Sequence, residues 1–168
     1  WDQYYAKRNA VNLAISGDRT EHVLWRLENG NIDGISPKLA ILMIGTNNHS
    51  SSPPEVTARD IRLIVGKLRI KLPKTTILVL GIFPRGGNDD DTARQKNMKV
   101  NKLICNIGDE DGMIHYRDIG ATFLDGRRMK PDLIPDGTHP NQKGYAAWAE
   151  AMEPIVSKLL GETNPVAK

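Results

Sequence analysis

The sequence has one cysteine, Cys105, in 168 residues, so no internal disulfide can form. None is needed, because a single core at this length buries roughly 70% of the unfolded chain's surface without a disulfide or structural metal. Aromatic residues are scarce, at 5%. The longest apolar runs, residues 39–44 and 77–83, fall far short of the ~20 residues of a membrane span. Nor does one charge dominate: Lys+Arg 23 against Asp+Glu 20 leaves +3, scattered along the chain. Without a basic stripe, a nucleic-acid partner is not expected. What is present is the composition of a globular domain, 39% hydrophobic and 26% charged. The chain opens on Trp1 and not on Met, so its N-terminus reads as cut and its compartment is left open.

Short β-rich runs alternate with longer stretches of helical period, the pattern of an α/β domain on a parallel sheet. Strands are expected at residues 10–15, 39–44 and 76–83, with a weaker one at 113–116. The run 39–44 is continuously apolar, as in a strand buried on both faces. Helices are expected over 18–29, ended by Gly30; over 55–71, followed by Pro73; and over 93–107, through Met98, Val100, Leu103 and Ile104. A last helix starts near Asn141, and Pro154 should kink or split it. The turn-rich stretch 124–141 is long enough that a compact domain would keep it for function. One domain over 1–161 is expected, with a frayed tail over 162–168.

Ligands of open parallel sheets collect at loops leaving the carboxyl ends of strands. Three such loops stand out: Ser16-Gly17-Asp18, Gly45-Thr46-Asn47-Asn48-His49 and Asp136-Gly137-Thr138-His139-Pro140. Asp136, three residues before His139, can accept a hydrogen bond from one imidazole nitrogen and leave the other free as a general base. The plainer reading is a helix-entry turn. Asn47 is a turn residue or an amide donor; Gly17 is a turn glycine or a backbone N–H that reaches a substrate oxygen. Two such donors would make an oxyanion hole. His49 lines a pocket or lies on a loop surface. The run Asp89-Asp90-Asp91 lacks the alternating ligands of a calcium loop and reads as a solvated turn. His22 and His115 read as structural, and Trp25 and Trp148 as core residues.

On these loops the sequence resembles the SGNH hydrolases, also called GDSL esterases and lipases, over essentially its whole length. Within that family Ile15-Ser16-Gly17-Asp18-Arg19-Thr20, His22-Val23-Leu24-Trp25-Arg26-Leu27 and Gly45-Thr46-Asn47-Asn48-His49 look most like the branch of platelet-activating-factor acetylhydrolase catalytic subunits. The resemblance implies a three-layer α/β/α, flavodoxin-like domain that cleaves short acyl esters, acetyl above all, through an acyl-enzyme and without metal or organic cofactor. It implies Gly17 and Asn47 as oxyanion donors, His139 as general base and Asp136 as the residue that orients it. Asn48, which stands where many members carry Asp, and His49 are its substrate-pocket candidates.

The family's nucleophile is the serine of a Gly-Asp-Ser motif after its first strand, and this sequence contains no such motif. Ser16 in that role would be a substitution. The expectation is therefore that the nucleophile and the central strand lie upstream of Trp1. Their absence would leave a gap between the strands at 10–15 and 39–44. The chain would then be inactive on its own and poorly stable, pairing non-native neighbours or aggregating. The alternative is a catalytically silent SGNH-like binding or scaffold domain. A flavodoxin-like nucleotide binder is disfavoured, since no Gly-rich phosphate loop opens a helix. The expected partner is a small-molecule acyl ester, and a homodimer is left open.

Overall fold

In the computed structural model residues 1–108 and 111–162 are described. The elements, in chain order, are α1 (Thr20–Glu28), β1 (Leu39–Leu42), α2 (Pro54–Lys71), β2 (Thr76–Leu80), α3 (Thr92–Ile104), β3 (Ile114–Arg117), the short pair β4 (Leu124–Asp125) and β5 (Arg128–Met129), and α4 (Gln142–Leu160). The strands β1, β2 and β3 form a parallel sheet in that order, with Leu39 opposite Thr76 and Ile77 opposite Ile114.

The apolar run of β2 is buried on both faces because it feeds two cores. Ile77 and Val79 point into one, with Leu27 of α1, Ile61, Ile64 and Val65 of α2, and Val100 and Ile104 of α3. Leu78 and Leu80 point into the other, with Phe83, Phe123 and Met152 and Val156 of α4. Period-two alternation along one strand thus separates the helices into two layers, giving the α/β/α arrangement the resemblance implies.

Residues 10–15 form no strand; they are exposed coil, with Val11, Leu13 and Ile15 open to solvent. Their backbone groups bond locally instead of to a strand: the Ala10 N–H donates to the Tyr5 carbonyl at 3.3 Å, the Ala14 N–H to Asn12 Oδ1 at 2.9 Å, and the Leu13 carbonyl accepts from Arg26 at 2.9 Å. β1 is an edge and not a doubly buried strand, and Ile41 is 41% exposed. Residues 10–15 do not pair with β1.

Two further expectations about the helices change. Helix α4 runs unbroken through Pro154, which lies on its exposed face, so the carbonyl that loses its donor is on the water side. Trp25 is 64% exposed and not a core residue, because α1 turns Leu27 inward with Val23 and Leu24. His22 serves as a cap, its Nδ1 accepting from the Arg19 N–H at 3.2 Å. At the other end of the fold, Arg8 reaches Glu153 at 2.6 and 2.8 Å, Ser157 at 3.1 Å, and Glu162. Glu162, the first residue of the expected tail, is thereby held; 163–168 lie outside the described residues.

Candidate active site

The turn before α4 brings Asp136 and His139 together. His139 Nδ1 lies 2.7 Å from Asp136 Oδ2, while Asp136 Oδ1 accepts the backbone N–H groups of His139 at 2.7 Å and Thr138 at 2.8 Å. The His139 N–H, then its ring, then the Thr138 N–H hold the Asp136 carboxyl well below the usual carboxylate range. An ionised Asp136 fixes Nδ1 as the protonated ring nitrogen and leaves Nε2 as a base. The imidazole is 78% exposed, so Nε2 faces open space beside a cleft of about 290 Å³ lined by Gly87, Met129, Ile134, Asp136 and Gly137. Gly137 takes φ +72, the left-handed conformation that only glycine adopts freely.

On the other side, two loops are joined through Asn47. Its Nδ2 donates to the Asp18 carbonyl at 3.0 Å, fixing the Ser16-Gly17-Asp18 turn beside it. A primary amide has two N–H donors, so one remains for a ligand. Gly17 is exposed at φ +81, and among the described residues its N–H makes no hydrogen bond. A side-chain donor and a backbone donor are therefore held near one another with unused capacity.

Asn48 departs from the expectation of a pocket residue. It is 1% exposed, its Oδ1 accepts the Thr20 N–H at 3.1 Å, and its Nδ2 donates to Thr20 Oγ1 at 3.0 Å and Glu21 Oε2 at 3.2 Å. Its side chain is turned inward and clamps the start of α1 to the 3-10 turn Thr46–Ser50. His49 stays half-buried on the loop; burial, then the positive charges of Arg85 and Lys96, push its imidazole down.

Beside Asn47, Thr46 Oγ1 lies 3.4 Å from Arg85 Nη1 and 3.5 Å from Asn97 Nδ2. Arg85 and Asn97 belong to a set that sequence reading missed. Along α3 the inward face is Arg94, Asn97, Val100 and Ile104, whereas Met98 and Leu103 are exposed. The polar members hold the chain that leaves β2. Asn101 both donates to and accepts from the Ile82 backbone at 2.8 Å, Asn97 donates to the Phe83 carbonyl at 3.2 Å, and Arg94 donates to the Arg85 and Gly86 carbonyls. The spacing of three or four was present in the sequence, but in residues that hydropathy assigns to the surface. The acidic run is also structural: Asp91 caps α3, accepting from the Ala93 and Arg94 N–H groups, and Asp89 pairs with Arg127.

A family model described as GDSL-like Lipase/Acylhydrolase matches residues 1–147. Platelet-activating factor acetylhydrolase IB subunit alpha2 of Rattus norvegicus is 36% identical over 165 residues, covering 97% of this chain and 71% of the relative. Subunit alpha1 of Homo sapiens is 34% identical over 164 residues, covering 96% and 70%. Among solved structures, a GDSL-like lipase from Bacteroides thetaiotaomicron superposes with TM-score 0.75 at 17% identity, covering 94% of this chain and 80% of that one. An acetyl-xylooligosaccharide esterase from Geobacillus superposes with TM-score 0.73 at 19% identity, covering 94% and 74%. At such identities the two structures speak for the shared fold. No helix among the described residues is long and apolar enough to cross a membrane.

Proposed function

The chain belongs to the GDSL-like lipase/acylhydrolase family, and from that premise we propose that it is a serine ester hydrolase acting on short acyl esters, acetyl foremost, of small molecules. The observation that carries this reading is the pairing of a general base with its orienting carboxylate, Asp136–His139, in a fold that also presents Gly17 and Asn47 as donors. Acetyl specificity is supported by the names of the relatives, an acetylhydrolase subunit and an acetyl-xylooligosaccharide esterase.

The nucleophilic serine comes from a strand that precedes Trp1 and seats between β1 and residues 10–15. The bare edge of β1 and the non-strand state of residues 10–15 support this placement. His139 Nε2 takes the serine proton as Oγ bonds to the acyl carbon. The Gly17 N–H and the second Asn47 N–H take up the charge on the carbonyl oxygen. Collapse expels the alcohol, which receives the proton from His139, and water then attacks the acyl-enzyme by the same route to release the acid. Without the serine strand, the 168-residue chain has no turnover.

The test is to read the coding sequence upstream of Trp1, produce the extended protein and assay a panel of acyl aryl esters. Acetyl should be preferred, and His139→Ala should remove most turnover. Asn47→Ala should cost on the order of a hundredfold in rate; a loss below twofold removes it from the oxyanion hole. A genuine start codon with no Gly-Asp-Ser behind it would refute the esterase reading in favour of a silent binding or scaffold domain.

A further inference from the structure

We propose that Arg94 is a positioning residue for the acid–base pair, holding the Asp136–His139 turn in place through the backbone of Gly86 and Gly137. The proposal rests on the reading of His139 as the general base.

Arg94 is 2% exposed, on the inward face of α3. Its guanidinium spends its donors on three backbone carbonyls: Nε on Arg85 at 2.8 Å, Nη2 on Gly86 at 2.6 Å and Nη1 on Arg127 at 2.8 Å. Among the described residues it forms no ion pair. Burial pushes it down, opposed by the charges of Asp89 and Asp91. Interring a cation on neutral partners is costly, and a leucine would fill a helix–sheet contact without that penalty. What the rigid, planar fork provides is a fixed relation between two separate segments, the 85–86 chain leaving β2 and the β4–β5 turn at Arg127.

The segment it grips is the one that touches the catalytic turn. The Gly86 N–H donates to the Gly137 carbonyl at 2.8 Å, and Gly137 immediately follows Asp136. The approach is close enough that a Cβ on Gly137 would lie 3.3 Å from Gly86 backbone atoms. Gly86 itself has φ +74, and a Cβ there would come 2.3 Å from Asp91 Cγ, the carboxylate that caps α3 just before Arg94. The contacts therefore run without a break from Arg94 through Gly86 and Gly137 to Asp136. A displacement of about 1 Å at a reacting group costs on the order of a hundredfold in rate, so loosening the first link should be felt at the last.

Two arms test this. In the upstream-extended protein, amide hydrogen exchange is followed by NMR for Arg94→Gln and for Arg94→Lys, which keeps the charge but not the fork. Gly86 should lose protection by about tenfold or more in Arg94→Gln and less in Arg94→Lys, while the amides of Leu78–Leu80 in β2 hold theirs. Unchanged exchange at Gly86, or an equal loss in β2, overturns the proposal. In the upstream-extended protein Arg94→Gln should lower kcat on the order of a hundredfold with KM within twofold. It should cost nothing further in a His139→Ala background; a full additional loss there overturns the route through His139. An extended wild type without esterase activity sinks the esterase reading by itself, whereas the exchange arm decides independently whether Arg94 holds the turn.

Discussion

Replacing Asn48 with alanine tests the inward placement of a residue whose sequence position suggested the pocket. The Thr20 N–H belongs to a fully buried residue, so losing Asn48 Oδ1 leaves that donor unsatisfied, at about 1–3 kcal/mol. Thr20 Oγ1 keeps Asp60 at 3.2 Å, and the exposed Glu21 regains water, so those two contacts add little. The space vacated by the amide adds about 1 kcal/mol. The sum, about 2–4 kcal/mol, corresponds to a fall in Tm of about 4–16 °C for a domain of this size. Urea and thermal denaturation of the upstream-extended protein, followed by circular dichroism, measure it directly. A loss below about 1 kcal/mol would refute the clamp, because no exposed pocket residue should cost more. Asn48→Asp sharpens the test. One carboxylate oxygen can still accept the Thr20 N–H, but the other is set toward Glu21, which raises the new carboxyl's pKa in the folded state. The folded state then binds more protons than the unfolded one, so this variant's deficit should grow as pH rises from 5 to 8.

Two other perturbations probe the fold's other attachments. Arg8→Met removes the guanidinium that faces Glu153, a carboxylate 7% exposed, and should cost about 3–5 kcal/mol in urea unfolding; a cost under 1 kcal/mol would show that the N-terminal turn is not anchored there. The hydrogen bond from Arg8 holds the Glu162 carboxyl below its ordinary value of 4.5. Its contribution should therefore be complete above about pH 4.5 and fade as pH falls through the lowered folded value, seen as increasing proteolysis of residues 1–9 in acid. Gly144→Ala places a Cβ 2.4 Å from the Leu133 carbonyl oxygen and 2.9 Å from Pro140 Cβ. Relief needs a shift of about 1 Å in the segment that carries Asp136 and His139, so kcat of the extended protein should fall on the order of a hundredfold; activity within twofold of wild type would be inconsistent with it.

The sheet was legible wherever apolar runs are buried by elements this sequence contains. Residues 76–80 are covered on both faces and paired on both edges, and their hydropathy alone marks a central strand. Residues 10–15 have the same local pattern and form none, because a strand is made by its neighbour as much as by its own residues. The catalytic-type loops were legible from residue chemistry: Asp and His three apart on a tight turn meet at 2.7 Å, as that spacing suggests. Asn47 and Asn48 are chemically the same residue in adjacent positions, and only the 3-10 turn decides that one faces the loop at Asp18 and the other the interior. The inward face of α3 escaped notice for a different reason. Arg94, Asn97 and Asn101 are polar residues that face backbone carbonyls, and an apolar stripe through Met98 and Leu103 drew the expected inner face partly around the helix.

Along β2, Ile77 and Val79 support the layer that carries α1 and the loops of Gly17 and Asn47, while Leu78 and Leu80 support the layer whose α4 follows directly on His139. Neighbouring residues of one strand therefore bear separately on the loops of Gly17 and Asn47 and on the Asp136–His139 turn. Because interiors are close-packed, adding or removing a single methylene at one of these positions moves one partner relative to the other by tenths of an ångström. The relative placement of the two loop clusters can thus diverge between descendants through interior substitutions alone, while the residues of the loops themselves stay the same.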